Sequence, residues 1–256
     1  MSTTKWIVLR GLGRGHGHWG TFIQKLASAL PEDKIYWLDL PGNGFLNAQT
    51  SPLAIEDYVS SLEQQLKATD FFDSHGRTIG VGLSLGAMVM AEWAHQHPSR
   101  FNKIFLVNTS AANLSKPWKR ISMRVFANTL KQLFTSELEQ FELNSLKITT
   151  TLSEEIIKSK FNDDYKAVIE FTKKYPITMR NILRQLLAAS RYVFPKQPAV
   201  PTTLISGAGD RFVNPTCSDD IKRWWQCDLV IHPTAGHDLA FEDSSWLIET
   251  LKAHSV

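Results

Sequence analysis

Cysteine is nearly absent. Cys217 and Cys227 are the only two in 256 residues, too few for a disulfide framework or, by themselves, a zinc site. No apolar run approaches the roughly 20 residues of a membrane span, and the run near the N-terminus, Trp6-Ile7-Val8-Leu9, is too short for a signal peptide. Both absences make the cytoplasm the expected location. An excess of one charge is lacking too: a net charge of +3 is too small to argue for nucleic acid. Internal repeats and low-complexity stretches are missing. What is present, 43% hydrophobic and 21% charged residues, is the composition of a globular protein with a sizeable core. The length suits one large α/β domain or two small ones.

The charge is unevenly spread. Between Ala111 and Val200 stand 15 Lys and Arg against 8 Asp and Glu. The same stretch breaks the pattern of the rest. Before it, the short apolar runs Trp6–Leu9, Ile35–Leu38, the run entering Gly82, and Ile104–Val107 read as buried strands. Helical periodicities separate them. Phe22, Ile23, Leu26 and Leu30 form one stripe that Pro31 stops, and Ser51-Pro52 predicts a second helix as N-cap and N1, burying Ile55, Val59, Leu62 and Leu66. From Leu114 to Tyr192 only helical patterns occur, around 121–133, 138–146, 154–174 and 178–192. Thr202–Ile205 resumes the strands, followed by a helix near 218–225, a strand at Leu229–Ile231 and a helix at Trp246–Ile248. This alternation predicts an α/β fold, a mostly parallel sheet of about six strands with helices on both faces. Residues 1–112 and 197–256 form its core and 113–196 an inserted helical cap, beside the strand ends where ligands bind in such sheets.

The chemistry centres on Gly82-Leu83-Ser84-Leu85-Gly86. A serine hydroxyl is a weak nucleophile and must stand on a sharp turn within reach of a base. A strand enters this pentapeptide and a helix leaves it, with glycines where the turn allows no side chain. A serine so placed needs an imidazole, and the imidazole a carboxylate, in the order Ser, acid, His. Of the late histidines, His254 lies in the C-terminal tail and His232 borders a strand. His237, in Thr234-Ala235-Gly236-His237-Asp238, follows the last strand. Asp210, after Thr202–Ile205, is the acid; Asn108-Thr109-Ser110 offers no carboxylate, and Asp238 adjoins the histidine too closely to reach its Nδ1. The amides of Leu85 and Leu12 are the expected donors to an oxyanion. Arg10, Arg14, His16 and Trp118 are candidates for contact with substrate. No metal or organic cofactor is expected; His16 and His18 could suggest a metal site, but no acidic or cysteine partner lies nearby in sequence.

The combination of Leu9-Arg10-Gly11-Leu12-Gly13 with Trp19, Asp39-Leu40-Pro41-Gly42-Asn43-Gly44, Gly82-Leu83-Ser84-Leu85-Gly86, Gly209-Asp210 and Gly236-His237 resembles the α/β-hydrolase fold superfamily. Within it, the chain is similar to the capped esterases that include the pimeloyl-carrier-protein methyl ester esterases. The resemblance spans roughly Lys5 to Asn108 and Val200 to the end; the helical segment has no such match. It implies a carboxylic ester hydrolase acting on a carrier-linked acyl group, while the aromatic residues of the helical segment favour an apolar acyl group. The resemblance also suggests an acyl carrier protein as partner, attracted by Lys116, Lys119, Arg120 and Arg124. This chain departs from the family at Arg10, where histidine is usual, so the loop is held differently or a guanidinium stands near the site.

Two other readings compete. The same three residues serve a thioesterase, a lactonase or a carbon–carbon bond hydrolase, because function lives in the pocket. From another class, Gly15, Gly17 and Gly20 match a dinucleotide fingerprint, with Asp39 at a ribose-binding distance. That match starts several residues beyond the strand, and Trp19 would crowd the pyrophosphate.

Overall fold

A computed structural model describes residues 3–73, 75–122, 127 and 137–255. Its centre is one sheet of six strands: β1 Lys5–Leu9, β2 Lys34–Leu38, β3 Thr78–Leu83, β4 Lys103–Val107, β5 Thr202–Gly207 and β6 Asp228–His232. The spatial order is β2-β1-β3-β4-β5-β6, and every pairing is parallel. Side chains alternate across it, as strand geometry requires. Ile7 and Leu9 of β1 join one apolar cluster, and Trp6 and Val8 the other.

Helices close both faces. On one lie α2 (Tyr58–Lys67) and α3 (Leu85–Gln96), with α9 (Thr216–Trp225). On the other are α1 (Phe22–Ala29) and α11 (Ser244–Ala253), near the short α10 (Leu239–Glu242). The chain leaves β1 towards one edge and returns to β3 on the other side of β1. The connections from β1 and β3 therefore run in opposite directions, the point at the strand ends where ligands bind in such sheets.

Between β4 and β5 the described residues hold helices alone: α4 (Pro117–Arg120), α5 (Leu138–Thr149), α6 (Glu154–Lys160), α7 (Asn162–Lys174) and α8 (Met179–Arg191). Side chains of Ser153 and Thr178 cap α6 and α8 through the amides of Ile156 and Asn181. The pattern over 154–174 resolves into two helices that meet at Phe161. Of the helix expected at 121–133, all but Ile121, Ser122 and Ala127 lie outside the described residues. No described helix is long and apolar enough to cross a membrane.

One expected boundary moves. Ser51 does not cap α2, which begins at Tyr58. Its hydroxyl instead donates to the Pro41 carbonyl at 2.7 Å, and its amide donates to Asn181 in α8 at 3.0 Å. A tertiary partner outbids the local cap, and 52–57 stay irregular.

Candidate active site

Ser84 sits between β3 and α3 with φ 57° and ψ −116°, a strained conformation for a residue with a side chain. The surroundings enforce it. A Cβ on Gly82 would lie 2.6 Å from Cα of Ala87, and one on Gly86 2.5 Å from the Arg10 carbonyl oxygen. The Ser84 amide donates to the Val107 carbonyl (2.8 Å), and Thr109 Oγ1 donates to the Ser84 carbonyl (3.0 Å). The loop after β1 presses close: a Cβ on Gly11 would stand 3.0 Å from Ser84 Cβ.

Asp210 follows β5 and His237 follows β6. Oδ2 of Asp210 lies 2.7 Å from Nδ1 of His237, and both side chains are buried. The other carboxylate oxygen accepts the amides of Phe212 (2.8 Å) and Val213 (2.9 Å). With an acceptor facing Nδ1, the ring carries its proton there and keeps the Nε2 lone pair free. The Phe212 ring rests against the imidazole, 4.9 Å between centroids.

Ser84 opens onto two cavities. One, of about 120 Å³, is lined by His237, Gly11, Arg10, Arg14, Phe141 and Tyr175 among others. The second, of about 310 Å³, is lined by Leu85, Met88, Ile121, Leu186, Val213 and Arg120 among others. Leu12, Ser84 and Phe212 border both. Leu85 is the first residue of α3, so its amide has no carbonyl one turn back to bond. The Leu12 amide also makes no hydrogen bond among the described residues.

The arginines of the first cavity are neutralised in place. Arg10 donates twice to Asp238, at 2.9 and 2.6 Å, and its guanidinium lies over the Trp19 ring. Burial alone would raise the Asp238 carboxyl, but the Arg10 charge and hydrogen bonds outweigh it and hold the group below its ordinary range. Arg14 donates to Glu142 at 2.6 Å and to Ser145 at 2.5 Å. Glu142 also accepts from Thr172 (2.8 Å), whose hydroxyl meets Nε2 of His18 at 3.0 Å. His18 Nδ1 accepts the Gly15 amide. Burial, then Arg14 and Arg10, push the His18 pKa well below its usual value, so the ring stays neutral.

The model of the alpha/beta hydrolase fold family matches residues 7–244. The chain belongs to this family. Similar folds include a lipase-esterase related protein from Clostridium acetobutylicum (14% identity, TM-score 0.70, 98% of this chain and 94% of that one). An esterase from Thermogutta terrifontis is similar too (17%, TM-score 0.69, 98% and 89%). A third is the RedJ thioesterase of prodiginine biosynthesis from Streptomyces coelicolor (15%, TM-score 0.61, 98% and 85%). A search of curated protein sequences finds no match.

In this α/β-hydrolase, Ser84, His237, Leu12, Arg10 and Arg14 share the first cavity, and Leu85 borders the second. Two candidates fall elsewhere. His16 lines neither cavity; its Nδ1 lies 2.7 Å from Asp39 and its ring stacks on Trp37. Trp118 is 63% exposed and packs on the Lys116 ammonium. The dinucleotide reading loses its space as well. Gly17 and Gly20 abut Phe171 and Asp164 of α7, and Asp39 is occupied by His16 and the Phe45 amide. No group of three His, Cys, Asp or Glu among the described residues is arranged to hold a metal ion.

Asn108 has a part that sequence reasoning missed. At the end of β4, with φ 48°, its amide donates to the carbonyls of His237 (2.7 Å) and Gly236 (3.2 Å), and its oxygen accepts the Gly207 amide (2.8 Å). One side chain thus ties the histidine loop to the strand end that carries Asp210. The available signal was an Asn directly after a buried strand, a residue type that tolerates left-handed backbone.

Proposed function

We propose that this α/β-hydrolase is a serine esterase that cleaves a carboxylic ester in two acyl-transfer steps. The observation that carries the reading is the buried Asp210–His237 pair, 2.7 Å apart, on the cavity that Ser84 also lines. Ser84 Oγ attacks the ester carbonyl while Nε2 of His237 takes its proton, and Asp210 stabilises the imidazolium. Negative charge develops on the carbonyl oxygen, and the amides of Leu12 and Leu85 donate to it. His237 then gives the proton to the departing alcohol, leaving an acyl-serine. Water enters, loses a proton to His237, attacks the acyl carbon and frees the acid and Ser84. The helices between β4 and β5 act as the cap that shapes both cavities.

Ser84→Ala should abolish turnover of short p-nitrophenyl esters while leaving the unfolding curve intact. Retained turnover would refute the assignment. The same groups also suit a thioester, a reading favoured by the fold's similarity to a thioesterase. Exposed Lys116, beside cavity-lining Pro117, is the point where an acidic acyl carrier protein would dock. Identical salt dependence for a free and a carrier-bound ester would remove that partner.

A further inference from the structure

Among the described residues three arginines border the cavities beside Ser84, and they differ in one respect. Arg10 has Asp238 and Arg14 has Glu142, whereas Arg120 has no carboxylate among the described residues. Residues 123–126 and 128–136, outside the described set, contain no Asp or Glu. Charge pattern alone grouped Arg120 with the surface cations of the basic segment. The structure half-buries it, with Nε donating to Ser110 Oγ (3.3 Å), Nη1 to the Ser190 carbonyl (2.8 Å) and Nη2 to the Ala189 carbonyl. All three partners, like Arg120 itself, line the second cavity, so the guanidinium forms part of its wall.

These bonds use three of the five N–H groups of an arginine. One on each terminal nitrogen is left among the described residues. The carbonyls at the end of α8 bring partial negative charge, less than a full counter-ion. Burial lowers the Arg120 pKa from its ordinary value, as expected of a partly desolvated cation. Among the described residues the wall around it is otherwise uncharged and largely apolar: Met88, Pro117, Ile121, Leu186 and Val213. A wall that, among the described residues, is apolar apart from one guanidinium without a carboxylate favours an apolar arm ending in an anion over a bare hydrocarbon.

We infer that the second cavity is a subsite for an ester arm that ends in a carboxylate, with Arg120 as the group that binds it. The carboxylate could end either the acyl arm, as in a half-ester of a dicarboxylic acid, or the alcohol arm. The inference rests on the serine esterase reading for its substrate, though not for its binding test.

Two pairs of probes distinguish the arms: p-nitrophenyl adipate half-ester against p-nitrophenyl hexanoate, and p-carboxyphenyl hexanoate against phenyl hexanoate. For one pair, kcat/KM of the wild type should favour the charged ester about tenfold or more, the scale of a charge-assisted hydrogen bond. Added sodium chloride should reduce that ratio. Arg120→Gln should bring it to one or below, and Arg120→Lys should keep part of it. A wild-type ratio at or below one in both pairs, or a ratio that survives Arg120→Gln, would overturn the subsite. If Arg120→Gln does not fold, the wild-type ratio and Arg120→Lys decide. Should no ester be hydrolysed, the esterase reading fails by itself. Calorimetric titration of Ser84→Ala with the same two pairs of esters still reads the subsite: tighter binding of the charged ester in either pair supports it, and equal binding in both pairs overturns it.

Discussion

Across the sheet the contacts are apolar: Ile7, Leu9, Val89 and Trp93 share one buried cluster, and Trp6, Val8, Phe105 and Leu247 the other. Where the β4–β5 helices meet the sheet loops, polar bonds recur. Arg14 reaches Glu142, His18 reaches Thr172, and Gln185 of α8 bonds the Gly13 amide (2.9 Å), Asn43 (2.7 Å) and Ser51 (3.1 Å). Apolar burial is non-directional and tolerates swaps that conserve volume. A buried polar seam is directional, and either half left alone carries its full desolvation cost. The sheet therefore fixes where Ser84, Asp210 and His237 stand, while the seam fixes the shape of the space above them.

The largest expected effect lies on the sheet side. Asp210→Asn should lower kcat by about 10⁴-fold, the scale known for such a change, because the amide can accept from Phe212 and Val213 but favours the wrong imidazole tautomer. The urea midpoint should stay near wild type, and a kcat loss under about tenfold would break the assignment. Next comes Arg10→Leu, which strands the Asp238 carboxylate in a buried site and should cost about 3–5 kcal/mol in urea unfolding. Adding Asp238→Asn should recover much of that. If the double variant is no more stable than the single one, the ion pair is not the cause.

Two smaller effects sharpen the contrast at the seam. Gln185→Leu deprives the Gly13 amide, Asn43 and Ser51 of a partner and should cost about 1–3 kcal/mol. Because Gly13 follows Leu12, kcat should fall more than KM rises. A change in stability with no change in kcat would confine Gln185 to packing. Acid should loosen the same seam. The folded His18 pKa lies well below the ordinary 6.5, so near that pH the unfolded chain takes up a proton that the folded chain refuses. This contribution to stability is full above pH 6.5 and declines below it, by at most about 1.4 kcal/mol per pH unit for one proton. Asp238, held below its ordinary 3.8, adds its own loss only at still lower pH. His18→Gln should flatten the urea-midpoint profile between these ranges; an unchanged slope would acquit His18.

The sheet and the Ser84, Asp210, His237 order were legible in the sequence because their signals are local. A buried strand is a short apolar run, the turn at Ser84 needs its glycines, and each remaining residue follows a strand. The pairings that complete the site were not legible in this way. Arg10 and Asp238 meet across 228 positions, and an arginine near a basic segment looks the same whether it faces water or, like Arg120, a cavity. Ser51-Pro52 shows the converse: a sound local cap signal overruled by a partner in a distant helix. A clue to the Arg10 pair was present nonetheless. Opposite charges directly precede Gly11 and directly follow His237, on two loops expected to converge.

The bond between Arg10 and Asp238 also constrains how this chain could have changed over time. Losing either charge alone leaves the other buried and unmatched, so the two positions should drift only together. With an uncharged residue at position 10, position 238 would be released from that obligation. Aligned homologues should show arginine and aspartate arriving and departing as a couple, the mark of an exchange that passes through few viable intermediates.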